Sequence, residues 1–314
     1  MITVVTGANG FVGSWLVNSL VAAEIDVCAC YRTSAIQVVQ GVTAHHVGNI
    51  DESTDWLAAL ENADNVIHCA ARVHVMNDNS LDPLSEFRRV NVGGTLNLAR
   101  QAVAAGVRRF IYLSSIKVNG DGTTKGEQYT AADVVHPEDP YGISKCEAEE
   151  GLRQISRETG LEVVIVRPPL VYGVGAKGNF AALARVIKKG FPLPLGSLLN
   201  NRRSLVSLNN LVDFLTLCLA HPKAANETFL VSDGEDLSTR GLIEEMAKAL
   251  GCPIRLLPFP VGVMQLAAQI IGKGDVARRV LGSLQVDINK NRELLGWVPS
   301  VSVAEGLKVA LQDV

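Results

Sequence analysis

Met1-Ile2-Thr3-Val4-Val5-Thr6-Gly7-Ala8-Asn9-Gly10-Phe11-Val12-Gly13 decides how this chain is read. An apolar, β-branched run breaks at Gly7. From about Phe11, apolar residues recur at helical spacing through Trp15, Leu16, Leu20 and Val21. The pattern predicts strand, glycine turn, helix. Gly7, Gly10 and Gly13 each have a physical use there: a tight turn, backbone approach to a phosphate with no Cβ in the way, and close packing of helix on strand. The helix N-terminus offers free N–H groups and the positive end of its dipole to an anion. Glycine triplets arise by chance, but one placed between a predicted strand and a predicted helix predicts a dinucleotide pyrophosphate site. Gly7, Asn9, Gly10, Phe11, Val12 and Gly13 would form it.

Outward from this turn, strands and helices alternate. The predicted strands are Ile2–Thr6, Asp26–Tyr31, Thr43–Val47, Asn65–His68, Arg109–Ser114 and Glu162–Arg167. The predicted helices are Phe11–Ala23, Thr54–Leu60, Leu84–Ala105 and Tyr141–Thr159. Several strands are unbroken Val/Ile runs, as expected of a parallel sheet covered on both faces. The fold class expected is α/β, a Rossmann-type doubly wound parallel sheet with a smaller mixed C-terminal domain. Residues 1–167 form the NAD(P)-binding domain in this reading, and residues 168–314 mainly bind substrate. After Arg167 the prolines and glycines of 168–178 read as a loop, followed by a helix over Phe180–Lys189. A strand–helix piece, Leu205–Ala220, and a strand, Glu227–Val231, are expected to return to the main sheet, over about 204–232.

Composition narrows the function classes. The chain has 314 residues, 47% hydrophobic content and a net charge of −3, which with no basic tract argues against nucleic acid as a partner. The stretches Val163–Val166 and Val261–Ile271 are too short to span a bilayer, so no membrane partner is expected. A first strand at residue 2 leaves no room for a signal peptide in this reading, and a cytoplasmic protein is expected. Cys28, Cys30, Cys69, Cys146, Cys218 and Cys252 lack metal-ligand spacing and read as reduced thiols. His45, His46 and His74 have no matching ligand set, so no metal is expected.

The chemistry is predicted from three residues. The strand Arg109–Ser114 runs into Ser115, which its place at a strand's carboxyl end points into the ligand crevice. Tyr141-Gly142-Ile143-Ser144-Lys145 follows Pro140 at a helix start, and the i, i+4 spacing puts Tyr141 and Lys145 on one face. A phenol titrating near ~10 is a poor base at neutral pH, and a nearby ammonium is expected to lower that value. Ser115 would hold a substrate oxygen, Tyr141 would transfer its proton, and Lys145 would hydrogen-bond a nicotinamide ribose.

The chain resembles the extended short-chain dehydrogenase/reductase family, in its nucleotide-sugar epimerase, dehydratase and ketoreductase branch. The matching pieces are Thr6 to Gly13, with a glycine spacing one residue wider before the middle glycine than the common fingerprint. They continue with His68-Cys69-Ala70-Ala71, Asn91-Val92-Gly93-Gly94-Thr95, Ser114-Ser115, Tyr141 to Lys145, Arg167-Pro168-Pro169 and Asn201 to Val206. The resemblance implies that Ser115, Tyr141 and Lys145 are catalytic. It implies that Ala70, Ala71, Ser114 and Pro168 line the cofactor trough, that Asn49-Ile50 lies beside the adenine, and that Asn91 supports the active-site helix. It also implies that Arg203 and Asn179 contact the nucleotide of the substrate, with Arg279 as a second diphosphate arginine. A homodimer through a four-helix bundle, built by helices 84–105 and 141–159, is implied in the same way.

Departures from the family pattern shape the functional reading. The second strand ends Cys30-Tyr31-Arg32, with no carboxylate for a ribose 2′-hydroxyl. Arg32 could face a 2′-phosphate, which favours NADP over NAD. Ile116-Lys117 stands where dehydratases of the branch carry Asp-Glu, and isoleucine cannot transfer a proton, so 4,6-dehydration is disfavoured. Lys117 then reads as a substrate contact or a surface residue. Pro168-Pro169-Leu170 replaces a sugar-nucleotide asparagine of the epimerases. Asn289 to Trp297 matches a C-terminal signature of the branch, and its amphipathic pattern predicts packing. The reading is NAD(P)-dependent oxidoreduction at C4 of a UDP-sugar. The lead version is reduction of a UDP-4-keto-6-deoxy-N-acetylhexosamine for surface polysaccharide. The alternatives are a UDP-hexose 4-epimerase and an NADPH reductase of a small carbonyl compound. An intact Ser–Tyr–Lys set argues against a non-catalytic dinucleotide sensor.

Overall fold

Val4 and Val5 are both fully buried and belong to different cores, because successive strand residues face opposite sides of a sheet. The same alternation holds at Val66 and Ile67, at Phe110 and Ile111, and at Val163 and Val164. Two-sided burial of this kind requires helices on both faces. The computed structural model describes residues 1–33, 39–73, 82–176, 178–270, 272 and 274–312. The side chains of 267, 268, 275–277 and 279 also lie outside the description, as do those of His74 and Ile271.

The chain runs β1 (Ile2–Thr6), α1 (Phe11–Ala22), β2 (Asp26–Tyr31), β3 (Thr43–His46) and β4 (Asn65–His68). Then come α2 (Pro83–Phe87), a π-helical stretch (Arg88–Gly94), α3 (Thr95–Ala104), β5 (Arg109–Leu113), α4 (Pro140–Thr159) and β6 (Glu162–Arg167). The remainder is β7 (Leu170–Tyr172), α5 (Asn179–Lys188), β8 (Leu205–Ser207), α6 (Leu208–Ala220), β9 (Thr228–Leu230), α7 (Thr239–Leu250), α8 (Val261–Ile270), α9 (Gly274–Leu281), α10 (Asn289–Leu295) and α11 (Val303–Ala310). The main sheet is seven-stranded and parallel throughout, in the order β3-β2-β1-β4-β5-β6-β9. Strand order reverses between β1 and β4, which opens a crevice at their carboxyl ends. One core holds Leu16, Val17 and Leu20 of α1 with Leu211 and Leu215 of α6. The other holds Leu98 and Ala99 of α3 with Ala148 and Leu152 of α4. The Rossmann-type α/β fold is therefore as expected.

The structure departs from the sequence reading in three places. Residues 54–60 were expected to be helical and are a series of turns. Side chains take the backbone groups a helix would use: Gln101 Oε1 accepts from Trp56 N at 2.8 Å, and Asn97 and Gln101 donate to Thr54 O at 2.7 and 2.8 Å. The helix expected over 84–105 widens into a π-helix at Arg88–Gly94. There Gly94 lies so close to Ile50 that a Cβ would sit 2.6 Å from its Cγ2. Third, β8 does not return to the main sheet. It pairs in parallel with β7, a strand inside the segment expected to be a loop, and only β9 extends the sheet.

The β7–β8 pair seeds a smaller core of Tyr172, Phe180, Ile187, Ile243, Met246, Val303 and Leu307. Asp233, just beyond β9, ties this part to the main sheet, accepting from Ser207 N at 2.9 Å, Asn210 Nδ2 at 2.6 Å and Tyr172 Oη at 2.8 Å. Asn289 to Trp297 packs as its pattern predicts. Asn291 Nδ2 donates to Leu230 O at 2.8 Å, and Trp297 Nε1 donates to Asp213 Oδ2 at 2.7 Å. Among the described residues no helix is long and apolar enough to cross a membrane.

Candidate active site

The crevice begins where β1 meets β4. Gly7 turns with φ +65°, and a Cβ there would lie 2.9 Å from the Ala70 backbone. A Cβ on Gly13 would collide with the Gly7 carbonyl, so α1 can start directly against the turn only with glycine at both positions. Helix α1 has no side-chain N-cap and no acidic residue in its first turn. Its first N–H groups are thus left for an anion. A bare backbone cradle at a topological switch point, closed by Gly7 and Ala70, fits the pyrophosphate of a dinucleotide. Around it, Tyr31 is buried at the end of β2, and Arg32 and Asn49 are exposed. The Arg32 carbonyl accepts from His46 Nε2 at 2.8 Å. Thr6 Oγ1 and His68 Nδ1 lie 2.6 Å apart beneath the crevice, and His68 Nε2 lies 3.0 Å from Thr95 Oγ1. Burial holds His68 down to about 3, so the ring is neutral.

Strand β5 and helix α4 bring the catalytic candidates together. Asp139 caps α4 by accepting from Gly142 N at 2.7 Å, and Pro140 occupies its first turn. One face of α4 then presents Tyr141, Lys145 and Glu149 at successive fours. The Ser115 hydroxyl lies near enough to the Tyr141 phenol to favour its ionised form. Lys145 is 2% exposed and donates to Leu113 O at 2.8 Å, with its Nζ 4.4 Å above the Tyr112 ring centre and 5.9 Å from that of Tyr141.

The electrostatics correct one expectation. Burial pushes Tyr141 up to about 12, partly offset by the Ser115 hydroxyl, and the nearby Asp139 charge adds to the rise. Burial brings Lys145 down to about 7, partly offset by Cys69 and Glu149. Lys145 therefore does not lower the phenol in the free chain. At neutral pH the site holds a protonated tyrosine beside a lysine that is only part charged.

Glu149 was not singled out in the sequence, although its spacing from Tyr141 and Lys145 was visible. It is fully buried and accepts from Ser114 Oγ at 2.6 Å, Arg167 Nε at 2.8 Å, Arg167 Nη2 at 2.5 Å and Arg153 Nη2 at 3.0 Å. Arg167 also donates to Asn119 Oδ1 at 2.9 Å. These bonds lock the end of β5, the middle of α4 and the end of β6 together. Asn91 acts from the π-helical stretch, donating to Ser144 Oγ at 3.0 Å and to Arg72 O at 3.0 Å while accepting from Arg72 N at 2.8 Å. Ser114 and Ala71 sit beside these groups in the chain, and Pro168 accepts from Ile116 N through its carbonyl at 3.0 Å.

The substrate-side candidates are more dispersed. Lys117, expected as a substrate contact or a surface residue, is partly exposed. Its ammonium bridges Asp121 and Asp139, the latter at 3.2 Å, clamping the loop after Ser115 to the cap of α4. Asn179 is exposed at the start of α5, and Arg203 donates to Gly282 O at 3.3 Å in the smaller part. The Arg279 side chain lies outside the described residues. Among the described residues no cluster of His, Cys, Asp and Glu could hold a metal.

Over 307 residues the chain is 48% identical to the UDP-glucose 4-epimerase of Vibrio cholerae, covering 98% of this chain and 93% of the relative. It is 27% identical to the N-acetyl-alpha-D-glucosaminyl-diphospho-ditrans,octacis-undecaprenol 4-epimerase of Escherichia coli O157:H7, covering 98% and 93%. The crystal structure of a Thermotoga maritima UDP-glucose 4-epimerase superposes with a TM-score of 0.78 at 24% identity, over 99% of this chain and 98% of that one, and shows the shared fold. Residues 3–232, from the first strand past the last strand of the main sheet, match the family model, and the chain belongs to the NAD dependent epimerase/dehydratase family.

Proposed function

We propose that the chain is a 4-epimerase of a UDP-linked hexose that uses NAD. The observation that carries this reading is the near-full-length 48% identity to the Vibrio cholerae epimerase. The Ser115–Tyr141–Lys145 arrangement supports it. The sequence reading put a 4-ketoreductase first and NADP before NAD. Both leanings rested on few residues. NADP rested on Arg32, which is exposed and in a family described as NAD dependent. The reductase leaning rested largely on the same strand end, Cys30-Tyr31-Arg32, which lacks an acid.

The turn residues Gly7 to Gly13 would hold the pyrophosphate, with Ala70, Ala71 and Asn91 around the trough and Lys145 against the nicotinamide ribose. The dinucleotide, when bound, supplies a two-electron acceptor that is regenerated within each turnover. Tyr141 Oη takes the proton of the sugar 4-hydroxyl as C4 is oxidised, and Ser115 Oγ holds that oxygen. The 4-keto sugar turns over, C4 is reduced on its other face, and Tyr141 returns the proton, so atoms and electrons balance over the cycle. A Lys145 titrating near neutrality can be charged by small changes around it, and its charge favours the phenolate the first step needs. Arg203 would grip the substrate diphosphate with a guanidinium, and residues 168–314 would mainly bind substrate. We also place a homodimer interface on the paired helices α3 and α4. They already lie so close that a Cβ on Gly151 would sit 2.7 Å from Leu96, half of a four-helix bundle.

The test is incubation with UDP-galactose and NAD⁺, and with a UDP-4-keto-6-deoxy-hexosamine together with NADH or with NADPH. Interconversion of UDP-galactose and UDP-glucose with no net consumption of reduced cofactor is expected. Stoichiometric consumption with the keto sugar and no interconversion would replace this reading with the reductase.

A further inference from the structure

Helix α8 is apolar on a face that no described residue covers. Val263, Leu266 and Ile270 follow one another at i, i+3 and i+7, which places them on one side of the helix, and all three are exposed, Ile270 at 76%. Leu257 and Phe259, in the lead-in to the helix, are exposed as well. Helix α8 packs chiefly against α9. Soluble monomers rarely leave such a contiguous apolar stripe open unless something binds it.

The charge of the sequence segment that carries the stripe points to an occupant. The protein as a whole is negative, at −3. Between Arg255 and Leu281, however, the chain carries Arg255, Lys273, Arg278 and Arg279 against the single acid Asp275. Arg255 is exposed shortly before Leu257. An apolar helix face in a locally basic segment of an otherwise acidic protein is complementary to an anionic lipid surface, where apolar burial and headgroup attraction act together. At 10 residues α8 is about 15 Å long, far too short to span a bilayer, and can only lie in the interface.

We infer that α8, with Leu257 and Phe259, docks this protein on the surface of an anionic bilayer. The docking element is not remote from the site. Helix α9 runs into Gly282, whose carbonyl accepts from Arg203, the candidate diphosphate ligand. Docking thus sets the substrate side of the protein against the membrane while Ser115, Tyr141 and Lys145 stay in the sheet crevice.

The test is flotation of the full-length protein with phosphatidylcholine vesicles and with vesicles containing phosphatidylglycerol, without substrate or cofactor. Binding therefore does not depend on the epimerase reading. The protein is expected to float with the anionic vesicles and be released as salt rises. The double variant L266D/I270D should lose more than tenfold in apparent partitioning, with an unchanged urea midpoint and unchanged turnover of a soluble sugar nucleotide. Arg255→Glu, which leaves the apolar face intact, should lose several-fold at low salt and keeps the inference testable if the double variant folds poorly. Absence of flotation, or equal and salt-insensitive binding to both vesicles, overturns it. So does wild-type self-association that L266D/I270D abolishes, without vesicle binding, because the face would then belong to a second copy.

Discussion

Glu149→Gln isolates the buried network behind the catalytic candidates. The substitution keeps the shape of the side chain and removes its charge. Arg167 is 2% exposed and meets two of the carboxylate's bonds, so its guanidinium would stay buried with no countercharge. Removing one partner of a buried pair costs about 3–5 kcal/mol. At roughly 2 °C per kcal/mol for a chain of this size, the melting temperature should fall by about 6–10 °C. Combining Glu149→Leu with Arg167→Met leaves no stranded charge and should recover most of the loss, since apolar replacement of a buried pair is often close to neutral. Arg153→Ala, which removes a partly exposed partner of the same carboxylate, should cost no more than about 1 kcal/mol. Urea midpoints of the wild type and the three variants measure these differences. The network also seats Ser114 next to Ser115 and supports the charge of Lys145. Turnover in Glu149→Gln should therefore drop with the sugar-nucleotide KM nearly constant. A stability change below about 1 kcal/mol, or a double variant no more stable than the single, would refute the claim that the pair is held by charge.

Further outcomes follow from the same site. Tyr141→Phe should lower kcat by about 10²–10⁴ with the fold intact, as loss of a general acid–base does; near-normal turnover would remove Tyr141 from the chemistry. Arg203→Ala should raise the KM for UDP-sugar with little change in kcat, and an unchanged KM in steady-state kinetics would argue for a substrate without a diphosphate. Lys145 titrates at about 7 when folded and near 10.5 when unfolded. Between about pH 7 and 9 the unfolded chain therefore keeps a proton that the folded chain has released, and stability should rise with pH by up to about 1.4 kcal/mol per unit. Lys145→Met should flatten that rise in urea titrations. Below pH 7 the lysine is charged in both states and adds no slope. Above about pH 9 the buried thiols Cys69 and Cys218, pushed up to about 12, begin to act in the opposite sense.

Most of the sheet was legible because its inner strands are apolar on both faces, as runs such as Val163 to Val166 are, between turn signals. The Gly7 turn and the Tyr141–Lys145 spacing were legible for a similar reason. A positive φ, a close backbone approach and a shared helix face are local constraints, and a local pattern can record them. The failures lay where partners come from far along the chain. Residues 54–60 have helical composition, yet Asn97 and Gln101 take their backbone groups. The pairing of Lys117 with both Asp121 and Asp139 depends on a partner 22 residues on and was not read from its own position. Leu170–Tyr172 looked like loop because its strand partner, Leu205–Ser207, lies beyond a whole intervening helix. Nor could composition show that α8 stays uncovered, since an apolar run reads the same whether the fold buries it or not.

The protonation state of the site follows from that distinction between local and distant constraints. Spacing alone suggested that Lys145 would act on Tyr141 as a fixed positive charge. Burial removes the premise, because the same helix face that aligns the two side chains takes both out of water. A buried lysine is then held charged only by what surrounds it: the carbonyl of Leu113, the face of Tyr112 and the carboxylate of Glu149. That carboxylate is in turn shared with Arg167 and Arg153. Burial is the larger influence and brings Lys145 to about 7, with Glu149 offsetting only part of it. The phenol, pushed up to about 12 mainly by that same burial, stays protonated at neutral pH in the empty protein.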